Sequence, residues 1–459
     1  MGRLAKMVAR AAPGGAVLSG GGGTPPSPLV GASWRGADDP TVAPPDTYGA
    51  IGPRSYVEII NRKIAVFDRS GRTIAAAGLG AVMPAPPSAI ADPQILWDPL
   101  TRRFYFSALD TERGTILWGF TKGPAPRALP GDVCAYEADF GYDSAGPDFP
   151  RLGQTADFLL VGVNVFDTVG YFVGSDIDWI AKPQGSGILT TCPSGDGFAH
   201  GRQSSVRNAD GSLASTPVPA IQTDPSHTGW VVAAEGAWYG HPARSLTLFA
   251  VTKDPDGTAN IPATGTGIPV APYSPPSNAP QLGSTFKLDA GDGRLRHAVS
   301  GIDPERGGAV AVWTSHTVAG GSGAEERWYE IDPVRASILQ TGTVSSASLY
   351  VFNGAVSPDR QVNGKSQAFG SSMVLGFTTS SRMTDPAAQM VVKLGSNPQS
   401  GFVMVKPSPG PDQGYECFQV LAEPNLCRWG DYSGASPDPM PRQGARRGWV
   451  WLTNEWVTG

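Results

Sequence analysis

Leu117-Trp118-Gly119-Phe120-Thr121-Lys122-Gly123-Pro124 and, further along, Phe249-Ala250-Val251-Thr252-Lys253-Asp254-Pro255 carry the same features in the same order. Each is a run of large apolar residues, then Thr-Lys, then a turn marked by Pro. Aromatic and β-branched residues that stop at a Gly/Pro turn read as a strand. Two copies with the same ending point to an internal repeat.

Working outward from these runs, a unit of about 60–80 residues recurs, the spacing of a propeller blade with long loops. Each unit opens on an acidic or turn-rich group and continues into an apolar strand. Ala91-Asp92-Pro93-Gln94-Ile95-Leu96-Trp97-Asp98 opens the first, Thr155-Ala156-Asp157-Phe158-Leu159 the second and Ala220-Ile221-Gln222-Thr223-Asp224 the third. Gly291-Asp292-Gly293-Arg294-Leu295, Phe352-Asn353-Gly354-Ala355 and Gly430-Asp431-Tyr432-Ser433-Gly434 open the remaining three. Ahead of them, residues 55–68 look like a hairpin, and after Asp431 only the run at residues 448–456 remains strand-like. One blade therefore lacks outer strands, and pairing it with the N-terminal hairpin would remove exposed edges. The expected fold is all-β: a six-bladed β-propeller over residues 51–459, closed by an N-terminal strand or hairpin. Residues 1–50 are expected to form a Pro/Gly-rich arm.

Composition agrees. Gly (59) and Pro (43) together exceed a fifth of the 459 residues, while 40% are hydrophobic and 16% charged. That is too apolar for a disordered chain and too rich in turn residues for a helical one. The net charge of −5, without a run of Lys or Arg, argues against nucleic acid as a partner. No segment approaches the roughly 18–20 apolar residues of a membrane-spanning helix. Near the N-terminus the apolar stretch is broken by Arg10 and by Pro13-Gly14-Gly15, which argues against a clear signal peptide. Of the four cysteines, Cys417 and Cys427 are placed to bridge a short loop and Cys134 and Cys192 to join neighbouring blades. Buried free thiols are the equal alternative.

Several segments resemble the sialidase-like (BNR/Asp-box superfamily) propeller proteins, most of them of unassigned activity. They are residues 52–57 with 64–68, Asp92-Pro93 through Asp98, Pro150-Arg151-Leu152-Gly153, Asp292-Gly293-Arg294-Leu295, Arg327-Trp328-Tyr329-Glu330-Ile331 and Trp429-Gly430-Asp431-Tyr432-Ser433. The likeness spreads over residues 48–456. It implies a propeller; for activity it would require three arginines on a substrate carboxylate, a Tyr paired with a Glu, and an Asp acid. No complete Asp-box and no Arg-Ile-Pro signature is present. Arg294 is available as a binding arginine, and Glu330 or Glu416 as a tyrosine partner.

The acidic openings are the main constellation. If Asp92, Asp157, Asp292 and Asp431 each begin an innermost strand, radial symmetry gathers them at the mouth of the central channel with Arg294 and Tyr432. Crowded carboxylates call for a cation, and Ca²⁺ suits flexible oxygen ligands. The alternative is that each Asp caps its own turn. Trp179, Trp238, Trp328 and Trp429 lie nearer loops and are candidates for stacking on a sugar. The chain has no His-Glu-x-x-His and no Gly-x-Ser-x-Gly, which excludes zincin and α/β-hydrolase chemistry. The first expectation is a non-catalytic recognition or structural module, extracellular or on the surface of an assembly. It would bind a glycan or protein partner, or a further copy of itself through the N-terminal arm. The alternative is a glycoside hydrolase (sialidase-like) or lyase that uses the channel-mouth carboxylates.

Overall fold

The computed structural model describes residues 3–12, 28–142, 145–236, 242–364, 366–414, 417, 425–440 and 444–458. Strands dominate throughout. Arg103–Asp110 (RFYFSALD) is buried at every position, and Met373–Ser381 likewise. A strand covered on both faces loses the polar-apolar alternation of a half-exposed one. Both faces are covered here because each sheet is packed between two others.

Seven sheets carry a four-strand antiparallel meander. Their innermost strands are Tyr48–Ile51, Ile90–Asp98, Ala145–Gln154, Ala214–Pro219, Leu295–Asp303, Tyr350–Pro358 and Gly434–Pro437. Consecutive sheets touch, and the first touches the seventh, so the ring is closed. Across that closure the Ile51 backbone N–H donates to Ser436 Oγ at 3.2 Å. The architecture is a β-propeller.

Seven sheets stand where six are expected, because residues 48–78 are not a closing hairpin. Ser55–Ile60 and Lys63–Asp68 are flanked by Tyr48–Ile51 and Thr73–Gly78, which complete a sheet of their own. Closure falls instead to the segment expected to be an arm. Arg3–Ala12 pairs with Val450–Thr458, and Leu29–Arg35 pairs outside it. Trp34 fastens this edge: its ring lies 5.4 Å from Trp451 and 6.0 Å from Tyr56, both edge-on. Such aromatic pairs contribute about 0.5–1.5 kcal/mol each beyond the area they bury. The N-terminal strand is thus used within the chain.

Cys134 is bonded to Cys192, and Cys417 to Cys427. The first bridge ties the outer strand Val133–Ala138 of the second sheet to the loop beyond the third strand of the third sheet. The two Thr-Lys runs also fall at equivalent places, each at or just past the end of a third strand, Thr115–Thr121 and Ala243–Lys253. Among the described residues, no helix is long and apolar enough to cross a membrane.

Candidate active site at the channel mouth

The inner strands begin at one rim of the ring, where five of them shift register, Leu295–Asp303 between Leu295 and His297 and four more at bulges that hold a left-handed residue. Pairing shifts register between Ala91 and Gln94, Asp148 and Arg151, Ser215 and Val218, and Phe352 and Ala355. Within these bulges Asp92, Phe149, Thr216 and Asn353 adopt φ of +55°, +55°, +49° and +54°. A left-handed residue other than Gly costs about 1–3 kcal/mol, and bulges re-aim side chains at barrel rims and active sites. Pro follows in three of the four, at Pro93, Pro150 and Pro217.

The rim opens on a cavity of about 740 Å³. Asp46, Asp92, Asp148, Asp289, Asp292 and Asp431 line it together with Asn61, Arg62, Arg294, Arg296 and Arg428. Its floor is made by side chains that cross the channel. Tyr48 donates to His297 Nδ1, and His297 Nε2 donates to Ala435 O at 2.9 Å. Tyr432 donates to Pro150 O at 3.2 Å, and Arg151 reaches Arg296 O and Asp431 O at 3.0 and 2.9 Å. These bonds join sheets that are not neighbours in the ring, so the mouth is a cup rather than a pore.

Asn61 and Asp46 stitch the wall. Asn61 Nδ2 donates to Asp46 Oδ2 at 2.6 Å, while its Oδ1 accepts the Asp92 N–H at 3.0 Å. Asp46 Oδ1 in turn accepts the Asp431 N–H at 3.0 Å. Three inner strands are thereby held in one network, and its carboxyls are set in opposite ways. Burial pushes Asp92 well above the usual carboxylate range, and the charges of Asp46, Asp148 and Asp431 push it further. Burial and Asp431 push Asp46 up to about 6. Desolvation, reinforced by Asp431, likewise raises Asp148 and Asp289. At Asp431 the effect of burial is outweighed by Arg428, Arg296 and Arg294, which hold it below the usual range. Asp292 is held low in the same way by its ion pair with Arg294.

Of the residues singled out from the sequence, Asp92, Asp292, Arg294 and Asp431 line the cavity, and Tyr432 lies buried beneath it. Asp157 does not join them. It precedes the second strand of its sheet, and in an antiparallel meander that strand starts where the inner one ends, at the opposite rim. There it accepts from His227 Nδ1 at 2.6 Å and Lys253 Nζ at 3.1 Å. Asp148, on the inner strand, takes the expected place. The calcium set of Asp92, Asp157, Asp292 and Asp431 is therefore not assembled. Among the described residues, only Asp412, Cys417 and Cys427 bring three ligand atoms within 4.8 Å of one another, and those two sulfurs are joined in a disulfide. Turn capping holds for Asp292, which accepts the Arg294 N–H at 3.2 Å.

Glu330 bonds Gln340 and is not at the cavity; Glu416 lies outside the described residues. Trp179, Trp328 and Trp429 are buried and have no free face for a sugar, and Trp238 lies outside the described residues. The sequence reading missed Asp46, Asn61, Asp148, Arg296 and Arg428. A weaker signal for Asp148 existed: it stands two residues ahead of Pro150, where Asp92 stands one ahead of Pro93.

No family model and no curated protein matches the chain. Solved structures with a similar course include a Synechocystis apocarotenoid oxygenase mutant, at 10% identity over 79% of this chain and 72% of that one, TM-score 0.41. The parainfluenza virus 5 hemagglutinin-neuraminidase overlaps at 8% identity over 79% and 88%, TM-score 0.40. An α-L-arabinofuranosidase from Clostridium thermocellum does so at 11% over 64% and 79%, TM-score 0.33. Overlaps this loose carry no argument about the reaction, and the propeller assignment rests on this chain's own strand order.

Proposed function

We propose that the mouth is the active site of a glycoside hydrolase, with Asp92 as general acid and Asp431 as its ionised partner. One observation carries this reading. Two carboxyls share a cavity under opposite settings, Asp92 pushed up by desolvation and by the neighbouring carboxylates, Asp431 held low by three arginines. Hydrolysis of a glycosidic bond needs that division of labour. Asp92 gives its proton to the departing glycosidic oxygen. Asp431 meets the positive charge developing at the anomeric carbon, as nucleophile or as base to a water. The remaining polar wall offers donors and acceptors to sugar hydroxyls.

A recognition module without turnover is favoured by a different observation. Arg294 and Arg428 are already closed onto Asp292 and Asp431, so much of the mouth is a balanced, fixed polar surface suited to holding a glycan or protein. Either role fits an extracellular or assembly-surface setting, which the two disulfides support. The deciding experiment is turnover of a panel of aryl glycosides and polysaccharides, with binding measured in parallel. The hydrolase reading expects Asp92→Asn and Asp431→Asn each to lower turnover about 10²–10⁴-fold with the fold and binding retained. Binding without turnover by the unaltered protein would leave the recognition module.

A further inference from the structure

Arg151 is a cation that the proposed chemistry leaves unused. It stands on the inner strand Ala145–Gln154, just past the left-handed Phe149, and is 1% exposed. Among the described residues it forms no ion pair with a carboxylate. A buried charge is tolerated only when its donors are satisfied and its charge is answered nearby. Here one arm of the guanidinium donates to Arg296 O at 3.0 Å and the other to Asp431 O at 2.9 Å, while the buried Nε finds no hydrogen-bond partner among the described residues. The Phe149 ring centroid lies 3.6 Å away and that of Tyr432 3.9 Å, so the cation is held by two aromatic rings. Arg294, 4.4 Å from Phe149, extends the same column towards the cavity.

Both ends of this clasp lead to the mouth. The carbonyl it grips belongs to Asp431. The ring it stacks on belongs to Tyr432, the next residue, and the Asp431 N–H is tied through Asp46 and Asn61 to the N–H of Asp92. We propose that Arg151 is the positioning residue of the site: by fixing the Asp431 main chain and the Tyr432 ring together, it sets where the Asp431 and Asp92 carboxyls stand relative to one another. The inference rests on reading the mouth as an acid–base site. A lysine retains the charge but not the planar fork that reaches two strands at once, nor the stacking.

The test needs no substrate. Carboxyl titrations of Asp92, Asp431 and, as a remote control, Asp157 are followed by carbon NMR in the full chain, in Arg151→Lys and in Tyr432→Phe. Asp92 faces Asp46, Asp148 and Asp431, and Asp431 faces Arg428, Arg296 and Arg294 together with Asp46, Asp92, Asp148 and Asp289; all of these are retained in both variants. In Arg151→Lys the released turn admits water, so the Asp92 and Asp431 midpoints move towards the ordinary carboxylate value by about one pH unit, with Asp157 unmoved. In Tyr432→Phe the bond to Pro150 O is lost and the ring that Arg151 stacks on is held less firmly, so the Asp92 midpoint moves in the same direction. A folded Arg151→Lys protein with both midpoints unchanged overturns the proposal. If that variant does not fold, Tyr432→Phe decides, and an unmoved Asp92 midpoint overturns it. Failure of the hydrolase reading appears elsewhere, as turnover that survives Asp92→Asn, and leaves these titrations standing.

Discussion

Replacing Asp46 by Asn should change how the stability of this protein depends on pH. Asp46 is 1% exposed and is pushed from 3.8 up to about 6, first by burial and then by ionised Asp431. The shift of about two units corresponds to about 3 kcal/mol at about 1.4 kcal/mol per unit. Its sign follows from proton uptake. The folded chain holds a proton on Asp46 that the unfolded chain releases from about pH 4 upward, so this stabilisation is complete below that pH and is lost as pH rises through about 6. Asn is neutral at every pH and escapes that loss. Buried neutral His297 works the other way: burial lowers it to about 4, so it costs stability as pH falls from about 6.5. It is present in both proteins and cancels in the difference. Urea unfolding of wild type and Asp46→Asn between about pH 4 and pH 7 should therefore give a free-energy difference that moves by about 2–3 kcal/mol in favour of the variant, levelling off above about pH 6.5. The intercept reports whatever the amide costs against Asn61. The slope reports the carboxyl. A difference that stays flat within about 0.5 kcal/mol would refute the electrostatic account of the mouth.

Two further outcomes check the ring itself. A Cβ at Gly162 would lie 1.9 Å from Pro217 O, a backbone atom of the neighbouring sheet with no side-chain freedom to yield. Gly162→Ala should therefore cost about 1–3 kcal/mol in urea unfolding, and an unchanged midpoint would contradict the close approach of the third and fourth sheets. Replacing both Cys134 and Cys192 by Ser opens a loop with a sequence separation of 58 and should cost about 4 kcal/mol on chain-entropy grounds. Unfolding at the wild-type midpoint would show that the bridge adds nothing.

The strand content was legible because it is local: apolar runs that stop at Gly, Pro and Asp turns mark strands wherever they occur. The repeated Thr-Lys runs read as blade ends, but they fall on the third strands of their sheets, with an outer strand still to follow. Asp92, Asp292 and Asp431 were legible as mouth residues because each stands on or just ahead of an innermost strand. Asp157 was misplaced because its own strand, Phe158–Asp167, is as apolar as an innermost one, and rank within a sheet depends on which strand meets the channel. The first sheet was hidden for a related reason. Tyr48–Ile51 is four residues long and Thr73–Gly78 is largely alanine, so neither announces itself without the hairpin between them. Asn61, Asp46 and Arg151 carry no local signature, since their partners lie on other strands of the ring. By itself, then, the sequence determined an all-β repeat with an acidic opening to several of its units, since turn chemistry and apolar runs act over a few residues. Only the closed ring decided the number of blades, the strand that seals it and the protonation of its carboxyls, because each depends on contacts and burial between residues far apart in the chain.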